Sequence, residues 1–266
     1  MAKITVLVNG ANGRMGREVV KAVLNDPDLS LVAAVDRSGE GMDAGILAGM
    51  PACGVTLSTD LAQTMETTHP MVMVDFTQPQ AVFGNVQIAL EHKVAAVVGT
   101  TGLSEEQLAQ IRLWTEQNAT SCLVAPNFAI GALLMMRFAR EASRFFPHVE
   151  IIELHHDQKL DAPSGTAIKT AELIQEERQA LQQGHPQEKE LINGARGAAF
   201  EGMRIHSVRL PGLVAHQEVI FGSVGQTLVI RHDSINRESF MPGVLAAVHR
   251  IREVSGLIYG LENLLF

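Results

Sequence analysis

Two adjacent histidines and a lysine, His155, His156 and Lys159, crowd the end of an apolar run at Val149–Leu154. Within eight residues the chain reaches Pro163-Ser164-Gly165-Thr166-Ala167 and turns into a helical pattern. Imidazoles can hold or release a proton near neutrality, and an ammonium can neutralise a carboxylate or an imine. Ser164 is a good N-cap, so Gly165 and Thr166 would offer backbone N–H groups at a helix start, where anions are favoured. The segment Glu153–Ala167 therefore reads as a local cationic pocket with a built-in anion site, suited to a small dicarboxylate. Each part alone has a plainer explanation: a solvated His-His pair, a surface lysine, a simple helix cap. Their concentration in one strand–loop–helix unit favours chemistry. A metal site fits less well. Neighbouring residues on a strand face opposite ways, so His155 and His156 could share an ion only if the strand had already ended.

A second constellation lies near the N-terminus. Gly10-Ala11-Asn12-Gly13-Arg14-Met15-Gly16 follows the β-branched run Ile4–Val8 and opens a helical stretch. Glycines there allow a tight turn and let a pyrophosphate approach a helix N-terminus. Alone the loop is a weak signal. Asp36, twenty residues past Gly16 at the end of the next apolar run, strengthens it, because an acidic side chain at that place meets ribose hydroxyls. Arg37 follows directly and could accept a 2′-phosphate, so the pair predicts use of both NADH and NADPH. Gly99-Thr100-Thr101 and Ala125-Pro126-Asn127-Phe128 follow two further strand-like runs and are placed to flank the cofactor.

The elements that must carry these residues fall into two patterns. Up to about residue 147, near-continuous apolar runs alternate with amphipathic stretches: Ile4–Val8, Leu31–Val35, Val55–Leu57, Met71–Phe76, Ala95–Val98 and Ser121–Val124. That predicts a doubly wound parallel sheet, with Ser104 and Gln107 forming a capping box on one helix. Beyond it come a strand at Val149–Leu154, a helix at Ala167–Leu181, a polar loop, and alternating runs at Met203–Leu210, Val214–Phe221 and Thr227–His232. Pro211-Gly212 and the stretch from Gly222 to Gly225 look like hairpin breaks between those runs. The fold class is therefore α/β, with a C-terminal α+β domain built on a mixed, largely antiparallel sheet. We place the boundary between domains at 126/127, with the second domain at 127–236, and expect 237–266, including a helix at Ser239–Val254, to pack back on the first domain.

The bulk numbers set limits. The chain has 266 residues, 46% of them hydrophobic and 19% charged, as in a folded globular protein. A net charge of −8 disfavours nucleic-acid binding. Cys53 and Cys122 form no metal-ligand cluster with histidines, so no metal is expected. No stretch suggests a signal peptide or a membrane span, which points to a cytoplasmic protein with no membrane partner. An aspartate-semialdehyde dehydrogenase would need a nucleophilic cysteine partnered by histidine. A nucleotide-sensing regulator would need the Gly10 loop but not the His155/Lys159 cluster.

The His-His-x-x-Lys segment, with Gly13-Arg-Met-Gly16, Asp75-Phe76-Thr77, Gly99-Thr-Thr-Gly102, Pro126-Asn127-Phe128 and Ser239-Phe240, resembles the 4-hydroxy-tetrahydrodipicolinate reductase (dihydrodipicolinate reductase) family over the whole chain. The resemblance implies NAD(P)H-dependent reduction of 4-hydroxy-tetrahydrodipicolinate to tetrahydrodipicolinate, in diaminopimelate and lysine biosynthesis. It implies that His155 donates or accepts a proton and that Lys159 is a second catalytic cation. His156, Gly165 and Thr166 would bind substrate carboxylates. Gly10 to Met15, Asp36, Arg37, Gly99 to Thr101 and Ala125 to Phe128 would line NADPH or NADH. It further implies an N-terminal Rossmann-like domain and a homotetramer formed through the C-terminal sheet. The stretch Leu213-Val-Ala-His216 and Gln226 depart from the family pattern, away from the proposed chemistry.

Overall fold

The apolar runs of the first half become short strands whose side chains are buried on both faces, as parallel strands between helices require. The computed structural model describes residues 2–266 and divides into two compact units: the chain through Phe128 together with Phe240–Phe266, and Ala129–Ser239.

In the first unit, β1 (Ile4–Asn9), α1 (Arg14–Asn25), β2 (Leu29–Val35), α2 (Ala44–Leu47), β3 (Leu57–Ser58), α3 (Leu61–Thr68), β4 (Val72–Asp75), α4 (Pro79–Glu91), β5 (Ala95–Val98), α5 (Glu105–Gln117) and β6 (Ser121–Val124) alternate along the chain. In the sheet, β6, β5, β4, β1, β2 and β3 lie side by side in that order, all parallel. The order reverses direction from β1, so a crevice opens beyond the carboxyl ends of β1 and β4, where such sheets bind ligands. The expected capping box is present: Ser104 Oγ accepts from Gln107 N–H at 3.3 Å, and Gln107 Oε1 accepts from Ser104 N–H at 2.9 Å. The core runs through Leu7, Met73, Val86, Leu90 and Ile111, all fully buried. Each such side chain stabilises the fold by roughly 1.5–3 kcal/mol relative to exposure.

The second unit begins with α6 (Ile130–Ser143), β7 (His148–His155) and α7 (Gly165–Glu177). Then come β8 (Ala198–Phe200), β9 (Met203–Arg209), β10 (Ala215–Ser223) and β11 (Gln226–Ser234). The sheet order is β11-β10-β7-β9-β8; only β7 and β9 are parallel. Val149, Ile151, Ile205, Val219 and Phe221 are buried, and Gln217 Nε2 on β10 donates to Thr170 Oγ1 on α7 at 2.7 Å. Between them, Ile152, Leu154 and Ile220 are only half-buried, on the other face.

Several expectations need correction. Pro211-Gly212 closes no hairpin: β9 and β10 sit on opposite sides of β7, which the earlier chain has already placed between them. Nearness in sequence cannot reveal a strand inserted from upstream. The hairpin between β10 and β11 does form, around Val224 and Gly225, the latter at φ +72°. The expected strand at Val55–Leu57 shrinks to Leu57–Ser58, and the helix at Ala167–Leu181 starts at Gly165 and ends at Glu177. The helix expected at Ser239–Val254 is α8 (Met241–Arg250), flanked by short 3-10 turns at Arg237–Phe240 and Ile251–Glu253. After it, β12 (Gly256–Tyr259) pairs parallel with β6, and α9 (Glu262–Leu265) follows. Four residues beginning with glycine carry too little pattern to predict a strand, and the pairing edge on β6 is 135 residues earlier in the chain.

Candidate active site

In the first unit the site grows from the turn after β1. Gly10 has φ +80°, and a Cβ there would lie 2.5 Å from Phe76 O. A Cβ on Gly16 would lie 1.9 Å from Gly10 O, so α1 can start this close to the loop only with glycine at that position. Gly13 is the N-cap and has no side chain to cap the helix, so the first-turn N–H groups of α1 remain available to an anion. Asp36 braces the turn: Oδ2 accepts from Asn12 N–H at 3.0 Å, and Oδ1 from Ser38 N–H at 3.0 Å. Arg17 holds the other side of Asn12, donating from Nη2 to Asn12 Oδ1 at 2.8 Å.

A cavity of about 410 Å³ opens here, lined among others by Gly10, Asn12, Gly13, Asp36, Arg37, Ser38 and Phe76. Its glycine floor, open helix start and Asp36–Arg37 wall fit the pyrophosphate and ribose of a dinucleotide. Ala11, Arg14 and Met15 lie on the same loop and helix start, outside that lining. Gly99, Thr100 and Thr101 follow β5, and Ala125 to Phe128 follow β6, on the same end of the sheet but also outside the lining. Gly99 packs so tightly on Phe76 that a Cβ would meet the ring at 2.0 Å. The Phe76 and Phe128 rings lie 5.7 Å apart.

One buried side chain ties these loops together. Asp75, fully buried at the end of β4, accepts from Asn9 Nδ2 at 2.9 Å, Asn85 Nδ2 at 2.9 Å, Thr77 Oγ1 at 2.8 Å and Thr100 Oγ1 at 2.8 Å. It thereby joins β1, α4 and the loops after β4 and β5. Its charge also helps burial to push the Cys122 thiol far up, so Cys122 is an inert core residue.

In the second unit β7 ends at His155, so His155 is the last strand residue and His156 stands beyond it, exposed. Glu153, two residues earlier on the strand, is fully buried. Its carboxylate receives His155 Nδ1, the Arg209 fork at 2.8 and 2.7 Å, and Ser164 N–H at 3.2 Å. Burial alone would raise its pKa; hydrogen bonds from His155, Arg209 and Ser207 outweigh burial and hold the pKa at about 2. Arg209 also donates to Asp161 O at 2.7 Å, fixing the loop between strand and helix. Lys159 Nζ contacts both oxygens of Asp161, at 2.7 and 2.9 Å. Ser164 caps α7 by accepting from Ala167 N–H at 3.2 Å, which leaves Gly165 and Thr166 at the open first turn.

His155 and the start of α7 thus meet at Glu153, and Asp161, which pairs with Lys159, is tied to the same carboxylate through Arg209. The same unit contains the partners that sequence reasoning overlooked as such: Glu153 as the common acceptor, and Arg209, 56 residues away. The alternation of β7 carried a signal, since it puts a carboxylate on the buried face, where an unpaired charge is not tolerated. Among the described residues no group of three or more His, Cys, Asp or Glu side chains is arranged to hold a metal ion.

The N-terminal model of dihydrodipicolinate reductase matches residues 4–128, and the C-terminal model of the same family matches residues 131–265. The chain is 54% identical to the 4-hydroxy-tetrahydrodipicolinate reductase of Desulfitobacterium hafniense over 266 residues, covering 100% of both. It is 52% identical to that of Moorella thermoacetica, covering 100% of this chain and 99% of the relative. Among solved structures, the dipicolinate-bound dihydrodipicolinate reductase of Paenisporosarcina sp. TG-14 superposes with a TM-score of 0.89 at 49% identity, covering 99% of this chain and 100% of that one.

Proposed function

This chain belongs to the dihydrodipicolinate reductase family, and on that premise we infer that it is an NAD(P)H-dependent oxidoreductase reducing 4-hydroxy-tetrahydrodipicolinate to tetrahydrodipicolinate in diaminopimelate and lysine biosynthesis. The observation that supports the reading within the molecule is the hydrogen-bond network through Glu153, Arg209 and Asp161 that links a histidine, a lysine and an open helix start.

Loss of the 4-hydroxyl group as water leaves an unsaturated cyclic imine. When bound, the reduced nicotinamide supplies the hydride that ends on ring C4. Gly10 to Met15, Asp36 and Arg37 hold the dinucleotide, with Gly99 to Thr101 and Ala125 to Phe128 beside it. The first-turn N–H groups of Gly165 and Thr166, with His156, bind the substrate carboxylates. Lys159 exchanges Asp161 for a substrate carboxylate and stabilises negative charge as it builds toward the imine. His155, oriented through Nδ1, moves the proton that completes the addition at Nε2. Asp36 serves the ribose of NADH and Arg37 the 2′-phosphate of NADPH, so both cofactors are used. Comparable KM values for the two support this, and values several orders of magnitude apart refute it.

Four copies associate through the half-buried face of the five-stranded sheet, where Ile152, Leu154 and Ile220 lie. The enzyme works in the cytoplasm. Among the described residues no helix is long and apolar enough to cross a membrane. The decisive experiment is NAD(P)H oxidation in an assay that generates the substrate from pyruvate and aspartate semialdehyde with a purified synthase. Oxidation dependent on both precursors is expected, and its absence with either cofactor overturns the reading.

A further inference from the structure

An ionised carboxylate can only accept hydrogen bonds, so the His155 ring nitrogen that meets Glu153 must donate. That nitrogen is Nδ1. Arg209 grips both oxygens of the same carboxylate, which fixes its plane, and Ser164 N–H binds one of them from the start of α7. Glu153 is wholly shielded from solvent, so no water competes for its lone pairs or lets it swing away. A sheet ion pair between Glu153 and Arg209 would need none of the contacts to His155 and Ser164.

We infer that Glu153 is the positioning residue of this reaction: it holds His155 in the tautomer with hydrogen on Nδ1, presents Nε2 to the substrate, and registers the anion-binding start of α7 against that ring. The inference rests on the role given to His155 above. Arg209 complements it by keeping negative charge on Glu153, so that a proton taken up by His155 stays on the imidazole. The low value of the Glu153 carboxyl, about 2, is consistent with this. Ser164 extends the effect, because the helix start that receives a substrate carboxylate and the ring that handles the proton hang from one group.

The test is Glu153→Gln, which keeps size but lets an amide N–H face Nδ1 and so favours the opposite tautomer. We expect kcat to fall by about 10²- to 10³-fold, as when a histidine is left in the wrong tautomer, with KM changed far less. The limb of the kcat pH profile assigned to His155 should move as well. Glu153→Asp, which restores the charge, should recover part of kcat. A Glu153→Gln variant that still binds NADPH and pyridine-2,6-dicarboxylate but keeps the parent kcat and pH profile overturns the inference. If that variant does not fold, neutron diffraction of the parent enzyme decides: deuterium on His155 Nδ1 supports the inference, and deuterium on Nε2 with a bare Nδ1, or on Glu153, overturns it. His155→Ala separates the two levels. Unchanged turnover in His155→Ala removes the catalytic role itself, whereas a loss there combined with an unaffected Glu153→Gln removes only the positioning role.

Discussion

Each unit is organised around one fully buried carboxylate, and the two are satisfied in opposite ways. Asp75 is surrounded by neutral donors, two side-chain amides, two hydroxyls and the Thr77 N–H, none of which changes charge. Glu153 is surrounded by a guanidinium, an imidazole, the Ser207 hydroxyl and a backbone N–H. A carboxylate in a neutral cage can only fix geometry. A carboxylate linked to an imidazole fixes geometry and also decides where a proton rests. On the proposed function, the first unit holds a dinucleotide whose own atoms carry the hydride chemistry, so its residues need only be rigid. On the same proposal the second handles substrate charge, and its rigid part is built from titratable groups.

The contrast can be broken at several points. The largest effect should come from Lys159→Ala, which removes charge stabilisation without touching Glu153. We expect kcat/KM to fall by at least about a hundredfold in steady-state assays, and near-parent kinetics would strip Lys159 of its role. Asp75→Ala should act on stability instead. Donors from Asn9, Asn85, Thr77 and Thr100 lose their acceptor, at a cost of about 2 kcal/mol in urea unfolding, accompanied by a higher cofactor KM. If kcat collapses while cofactor KM holds, Asp75 is more than a brace.

Acid titration sharpens the comparison further. The Glu153 carboxyl lies at about 2 in the fold against an ordinary 4.5, so the folded state binds its proton less readily than the unfolded chain. Its contribution to stability is complete above about 4.5 and is lost as pH falls through about 2. Parent and Glu153→Gln stability curves should therefore converge across that window; curves that stay parallel would refute it. The smallest effect is expected for Arg37→Ala, which should raise KM for NADPH about tenfold relative to NADH, on the scale of one lost charge-assisted contact.

The sequence revealed contiguous chemistry better than assembled chemistry. The Glu153–Ala167 segment could be read because its groups are neighbours along the chain and the turn residues announce a helix start. The glycine loop with Asp36 could be read because close backbone approach leaves glycine as the only option at Gly10 and Gly16. What holds those groups could not be read: the pairing of Glu153 with Arg209, and of Asp75 with Asn9, depends on strand order. Strand order is set by packing across the whole sheet and leaves no local mark. The same cause misled the placement of β9, whose partner is the upstream strand β7 and not the β10 that follows it.

The seventh strand of the first sheet, β12, enters from residues Gly256–Tyr259, after the entire second unit has been traversed. Gly256 N–H donates to Thr120 O, and Ser121 Oγ to Ile251 O at 2.7 Å, so the last stretch of chain seals the edge of β6. On the ribosome, the sheet of the first unit therefore cannot be completed when β1 to β6 have emerged. It must wait, with β6 presenting an unpaired edge to its surroundings, until Gly256–Tyr259 has been made.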